Sequence, residues 1–262
     1  MLYKRVVCKV GTSTLTYPNG RLNLRRIETL CKVLSDLQSA GHEMILVTSG
    51  AIGVGVGKLG LKARPTETRE KQAVAAVGQC ELMFIYDKFF GDFNQTVAQV
   101  LLTRDVMEHP LSRQNVINTF DTLLHMRIVP VINENDTVCI DELEGAHYGD
   151  NDTLSAAVAG LVGADLLVLL TDIDGLYDAD PRLCPTARRI ERVTRIDDTL
   201  RALAGDSGSA RGTGGMRTKL QAAELAMQAH IPTVIMDGGD PHRLYDLLDG
   251  EPVGTRFEEG TP

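Results

Sequence analysis

A chain of 262 residues with 43% hydrophobic content holds enough apolar material for a large core, as one α/β domain or as two smaller lobes. A formal charge of −8 argues against non-specific nucleic-acid binding, and five scattered cysteines (Cys8, Cys31, Cys80, Cys139, Cys184) without a C-x-x-C pair argue against a disulfide framework or a zinc site. The apolar runs at the N-terminus and at 161–170 are too short for a signal peptide or a bilayer span, so the expected location is a reducing, cytoplasmic one.

The first predicted strand, Tyr3 to Val10, ends in Lys9-Val10-Gly11-Thr12-Ser13, where an ammonium and open backbone N–H groups are available to an anion; a surface lysine before a turn is the plain alternative. Asn23 caps a helix whose stripe Leu24, Ile27, Leu30, Leu34 and Leu37 closes at Gly41. The strand Glu43 to Val47 delivers a glycine-rich loop, Thr48 to Gly57, in which Ser49-Gly50-Ala51 makes a close-approach turn suited to a carboxylate. Gly55-x-Gly57-x-x-Gly60 is not a dinucleotide fingerprint, because a long helical pattern over 66–90 stands where a strand with an acidic end is required. No phosphate-loop pattern G-x-x-x-x-G-K-[ST] occurs. In that helix the apolar face is predicted at Ala73, Ala76, Val77, Cys80 and Phe84; a strand over Gln95 to Thr103 and a helix capped by Ser112, with Val116, Phe120 and Leu123, follow.

Ile128 to Asn133 is a continuous apolar run that reads as a buried parallel strand and stops in Asn133-Glu134-Asn135-Asp136. Asp150-Asn151-Asp152 then opens a helix continued by Leu154, Val158 and Leu161, so two polar clusters face one crevice at the carboxyl end of the sheet. Such a crevice suits a small polar substrate, a divalent cation or both; an N-cap and a surface turn are the alternative. The insert 137–148 reads as a β-hairpin lid or a connector.

The strand Asp165 to Leu170 ends in Thr171-Asp172, followed by Gly175 and Tyr177, residues that can line a nucleoside pocket or a solvated loop; the glycine is misplaced for a calcium loop. Gly205-Asp206-Ser207-Gly208-Ser209 imitates a protease nucleophile segment without the double-barrel β pattern such a site needs. Gly212 to Lys219 puts glycines before a helix N-terminus and a lysine in its first turns, an anion site by backbone dipole and ammonium together. A strand from Ile231 to Met236 and a helix begun by Asp240-Pro241 and ended by Gly250 complete the chain. Strands alternating with helices imply an α/β fold, with a mostly parallel sheet between two helical layers.

Six segments in order, VCKVGTS (7–13), VTSGAIGVG (47–55), VINEND (131–136), GDND (149–152), LLTDIDGLYDADP (169–181) and GTGGMRTKLQAA (212–223), resemble the glutamate 5-kinases of the amino-acid kinase family over nearly the whole chain. The resemblance implies a three-layer αβα sandwich in a single domain, with an N-terminal lobe (about 1–160) for glutamate and a C-terminal lobe (about 161–262) for ATP; many such enzymes carry a further C-terminal PUA domain, for which this chain leaves no room. It also implies ATP-dependent phosphorylation of the glutamate side chain at the start of proline synthesis, with Mg²⁺ carried mainly by the ATP phosphates, feedback inhibition by proline and a homo-oligomeric state, dimer or tetramer. By the same resemblance Lys9 and Lys219 stabilise the transferring phosphoryl group and Asp152 orients both. Ser49, Gly50, Ala51, Asn133, Asp136 and Asn151 bind glutamate. Lys9, Gly11, Thr171, Asp172, Thr213, Gly214, Gly215, Met216, Arg217, Thr218 and Lys219 bind ATP. Two rivals stay open: a relative acting on aspartate, N-acetylglutamate, carbamate or UMP, against which VINEND and GDND speak, and a non-catalytic amino-acid sensor, against which the two lysines speak.

Overall fold

The structure, a computed structural model, describes residues 1–17, 21–138, 151–181, 183–203 and 215–260. Its strands are β1 (Arg5–Val10), β2 (Glu43–Val47), β3 (Val97–Leu102), β4 (Val129–Glu134), β5 (Leu166–Thr171), β6 (Arg192–Val193), β7 (Thr233–Asp237) and β8 (Thr255–Phe257). They form one sheet in the order β3-β4-β2-β1-β5-β7-β8-β6, parallel at every pairing except β7 with β8. The helices are α1 (Thr12–Leu15), α2 (Leu24–Ser39), α3 (Ala51–Leu59), α4 (Thr68–Asp92), α5 (Arg104–Glu108), α6 (Pro110–His125), α7 (Asn151–Val162), α8 (Asp198–Leu203), α9 (Met216–Gln228) and α10 (Arg243–Asp249).

Successive strand side chains point to opposite faces, and the core divides accordingly. Val6, Cys8, Val10, Met44, Leu46, Val129, Val131, Leu166, Val168 and Leu170 pack under α2, α3, α4 and α10. Val7, Ile45, Val47, Ile132, Leu167 and Leu169 pack under α6, α7 and α9. The mostly parallel sheet between two helical layers is the fold expected from the alternation.

The glycine-rich stretch after β2 departs from its expected form. Only Thr48 to Gly50 is a turn; Ala51 to Leu59 is helical despite its three glycines. The reason lies in α4. A Cβ on Gly55 would stand 2.0 Å from the Val74 carbonyl oxygen, and one on Gly78 would stand 1.8 Å from the Ala51 carbonyl oxygen. Each glycine thus lets one helix backbone touch the other, and packing outweighs their poor helix propensity. The predicted apolar face of α4 is also wrong: Ala73, Ala76, Cys80 and Phe84 are exposed, whereas Val74, Ala75, Gly78, Gln79, Leu82, Ile85, Tyr86 and Phe90 are buried. The helix is rotated because it packs on α3 through Gly78 rather than on the sheet through the row of bulky residues.

Other differences are local. The last helix begins at Arg243, because Asp240 and Pro241 close a turn in which the Arg243 N–H donates to the Asp240 carbonyl at 3.3 Å and the His242 N–H donates to Asp240 Oδ1 at 3.2 Å. Gly250, at φ +96°, ends it as expected. His109 rather than Ser112 caps α6, with Pro110 inside its first turn. The short elements β6, β8, α5 and α8 carry too little periodicity to be foreseen. Most of the predicted lid, and the protease-like segment 205–209, lie outside the described residues.

Candidate active site

The two-residue period of β1 aims a lysine where the apolar pattern leads one to expect a core residue. Val7 packs under α6, α7 and α9, and Lys9 takes the next position on the same face, at the strand's carboxyl end. Its Nζ lies 2.5 Å from Asp152 Oδ1. Asp152 stands in the first turn of α7 and is fully buried. The other carboxylate oxygen lies 3.1 Å from Lys219 Nζ, which reaches in from α9. The Thr218 hydroxyl sits 2.9 Å from Asp152 Oδ2 and equally near the Gly215 carbonyl. Helices α7 and α9 pack directly on each other, with Ala156, Ala159, Ala222, Ala223 and Ala226 all buried, so their first turns meet.

Both lysines are themselves buried, at 5% and 7% exposure. Burial pushes the Asp152 carboxyl up, but Lys9 and Lys219, aided by hydrogen bonds from Lys9 and Thr218, outweigh it and hold the group down to about 2. Asp152 is therefore an anion at every physiological pH. Two ammonium groups on one carboxylate, shielded from water, give the triad a formal excess of positive charge suited to an incoming anion.

Beside this triad the chain makes two tight turns. Gly11 precedes α1, and a Cβ there would stand 3.7 Å from Lys9 Nζ, so the turn passes directly over the ammonium. Ser49 Oγ donates to the Val10 carbonyl at 3.1 Å and lies 3.3 Å from Thr12 Oγ1, which ties the ends of β1 and β2 together. Gly50 adopts φ +92°, where a side chain would be strained and would press on Thr12 at 3.1 Å. Ala51 then opens α3 with no side-chain cap, leaving its first N–H groups to the crevice.

On the far side of β2, Asn133, the penultimate residue of β4, is buried, as are Asp136 and Asn151. Asn151 Oδ1 has no hydrogen-bond partner among the described residues, an acceptor held out of water. Asn133 pairs with Gln79 of α4, a buried residue that the sequence reading passed over; only its place one residue after Gly78 on the rotated face could have flagged it. Thr171 ends β5 buried with its hydroxyl donating to Asp172 Oδ1 at 3.1 Å, and Asp172 is exposed. Gly215, with no side-chain cap, opens α9; Met216 is half-buried and Arg217 exposed. The structure thus brings Lys9, Asp152, Thr218 and Lys219 into contact and seats the other described candidates at the carboxyl ends of β1, β2, β4 and β5 or at helix starts beside them. Thr213 and Gly214, like Asp150, lie outside the described residues. Among the described residues no three His, Cys, Asp or Glu side chains gather to hold a metal, and no helix is long and apolar enough to cross a membrane.

Known proteins resemble this chain in sequence and in fold. The model of the amino acid kinase family matches residues 4–237. A glutamate 5-kinase of Clostridium perfringens is 55% identical over 97% of this chain and 95% of its own length. One from Listeria innocua is 56% identical over 97% of this chain and 92% of its own. In fold, the chain superposes on UMP kinase from Bacillus anthracis with a TM-score of 0.68 at 18% identity, covering 99% of this chain and 97% of that one. A family match across most of the sequence, joined to relatives more than half identical, places the chain in the amino acid kinase family.

Proposed function

We propose that this protein transfers the γ-phosphoryl group of ATP to the side-chain carboxylate of L-glutamate, giving L-glutamyl 5-phosphate, the first step of proline biosynthesis. The observation that carries the chemistry is the buried Lys9–Asp152–Lys219 triad; the glutamate 5-kinase relatives point to the acceptor. A carboxylate is already ionised at neutral pH, so no general base is needed. The barrier lies in bringing two anions together and in holding the transferring group in line.

In this reading Lys9 and Lys219 face the equatorial oxygens of the transferring group, where charge accumulates, and Asp152 fixes both ammonium groups in place without taking part in proton transfer. The backbone at Gly11 lies near the phosphates. The C-terminal lobe supplies ATP contacts through Thr171, Asp172 and the 213–219 stretch, where the uncapped N-terminus of α9 offers N–H groups to phosphate. The N-terminal lobe holds glutamate: the Ser49-Gly50-Ala51 turn, Asn133 and Asn151 by hydrogen bonds, Asp136 by pairing with the ammonium. The triad's carboxylate is engaged by two lysines, so the triad does not fit a metal ion; Mg²⁺, held mainly by the phosphates of ATP, would supply charge screening there.

Proline shares with glutamate an α-carboxylate and a positive nitrogen, and lacks the phosphate acceptor. The same groups would hold it, making it a feedback inhibitor that raises the apparent KM for glutamate. The test is ADP release measured against glutamate, aspartate, N-acetylglutamate and UMP, with hydroxylamine trapping of the acyl phosphate. Turnover restricted to glutamate is expected, and turnover with another acceptor in preference to it would sink the proposal.

A further inference from the structure

The end of β4 carries a pair of amides whose orientation is forced. The Glu134 backbone N–H can only donate, and it reaches Asn133 Oδ1 at 3.0 Å, so the Asn133 amide nitrogen must face the other way. There it donates to Gln79 Oε1 at 2.7 Å, which in turn directs the Gln79 NH₂ away from Asn133. That nitrogen is buried and has no hydrogen-bond partner among the described residues, on a residue only 8% exposed. Buried amide donors are nearly always matched in folded proteins. A chain of two fixed amides ending in an open donor, at the rim of a substrate crevice, is an arrangement that awaits an acceptor.

We propose that Gln79 is a specificity-determining residue, its Nε2 donating to the α-carboxylate of the glutamate substrate; the assignment rests on the glutamate kinase reading above. Strand register decides which end of the substrate it meets. Lys9 pairs with Val47 on β2, and Val47 pairs with Ile132 on β4, so the Asn133 backbone lies two strands from that of Lys9; Asn133 leaves its strand on the α4 face and Lys9 on the α7–α9 face, and a substrate meeting both lies across the carboxyl ends of the strands. Two strand spacings come to roughly 9–10 Å. The reacting γ-carboxylate belongs at the lysines, so the far end of an extended glutamate points toward β4. Of the two groups at that end, the ammonium needs acceptors, which Asp136 and the unmatched Asn151 Oδ1 supply. The α-carboxylate needs donors, and Gln79 Nε2, unmatched among the described residues, is a side-chain donor beside the open N–H groups at the start of α3.

The experiment compares native enzyme, Gln79→Met and Gln79→Glu. It measures the KM for L-glutamate and ATP and the inhibition constants of glutarate, which keeps both carboxylates, and of 4-aminobutanoate, which keeps the ammonium but lacks the α-carboxylate. Gln79→Met should raise the glutamate KM and weaken glutarate by roughly ten- to a hundred-fold, the usual worth of a hydrogen bond to a charged group, while 4-aminobutanoate changes by less than about threefold. Gln79→Glu should be worse for glutamate than Gln79→Met, because carboxylate then faces carboxylate. Parallel weakening of glutamate and 4-aminobutanoate, or a Gln79→Glu enzyme that binds glutamate better than Gln79→Met, overturns the assignment. Should Gln79→Met fail to fold, Gln79→Glu still carries the test, since it keeps the acceptor for Asn133. A native enzyme that does not phosphorylate glutamate overturns the parent reading as well; one that does, with these ratios unmoved, overturns Gln79 alone.

Discussion

Replacing Asp152 by Asn changes almost no volume and removes one charge from the middle of the triad. The carboxylate is fully buried, and the two ammonium groups at 2.5 and 3.1 Å hold it at about 2, below the ordinary 3.8. That displacement corresponds to about 2 kcal/mol net of the burial cost. Removing one partner of a buried ion pair costs more, about 3–5 kcal/mol, because the remaining charges stay buried and here repel each other. For a chain of this size the loss is a fall in Tm of roughly 6–20 °C. The carboxyl is depressed in the folded state, so its stabilisation is complete above about pH 4 and is lost as pH falls from there through about 2. The Asn variant should lack that component of acid sensitivity. Its kcat should fall by about 10²-fold or more, since neither lysine is then held in line. Calorimetry from pH 2 to 7, beside a coupled assay of ADP release, measures all of these. An Asn variant with native Tm and native turnover would refute the role given to the triad.

Lys219→Ala should lower kcat by about 10²-fold or more, read in the same assay, and native turnover by that variant would remove Lys219 from the transition state. Asp136→Ala should raise the KM for glutamate far more than that for ATP, because it deletes a charge partner of one substrate alone; equal effects would count against it. Gly78→Ala puts a methyl group 1.8 Å from the Ala51 carbonyl oxygen, and should destabilise by about 1–3 kcal/mol in urea titration; if Ala51 belongs to the glutamate site, as proposed, it should also raise the KM for glutamate.

The parallel sheet was legible because strands buried on both faces are written as apolar runs; Lys9, Asp152 and Lys219 were visible as charged groups at strand and helix ends, but a surface lysine or an N-cap fitted the first two as well, and only the family resemblance drew the three together. What stayed hidden depended on contacts between distant segments. The stretch with Gly53, Gly55 and Gly57 read as a loop because the purpose of Gly55, letting α3 lie against α4, exists only once both helices are packed. The face of α4 was misjudged for the same reason, since Phe84 outweighs Gly78 in any hydrophobic count and yet is 64% exposed. Gln79 escaped notice because an amide on a helix carries no signal until its partner Asn133, 54 residues away, is placed beside it. The three-residue strand β8 was too short to show a period.

The position of β1 at the centre of the sheet also governs how the molecule is made. It comes first among the described strands, yet its neighbours are β2 on one side and β5 on the other, and the Lys4 N–H that anchors its start donates to Asp165, 161 residues downstream. Until β5 has been synthesised, one flank of Arg5–Val10 remains an unpaired apolar edge, the kind of surface that recruits other chains. Closing so long a loop makes folding slow relative to a protein of local contacts. A nascent or truncated chain ending before Leu166 therefore leaves one flank of β1 bare and lacks Lys219, so the apolar edge is covered before the buried triad can assemble.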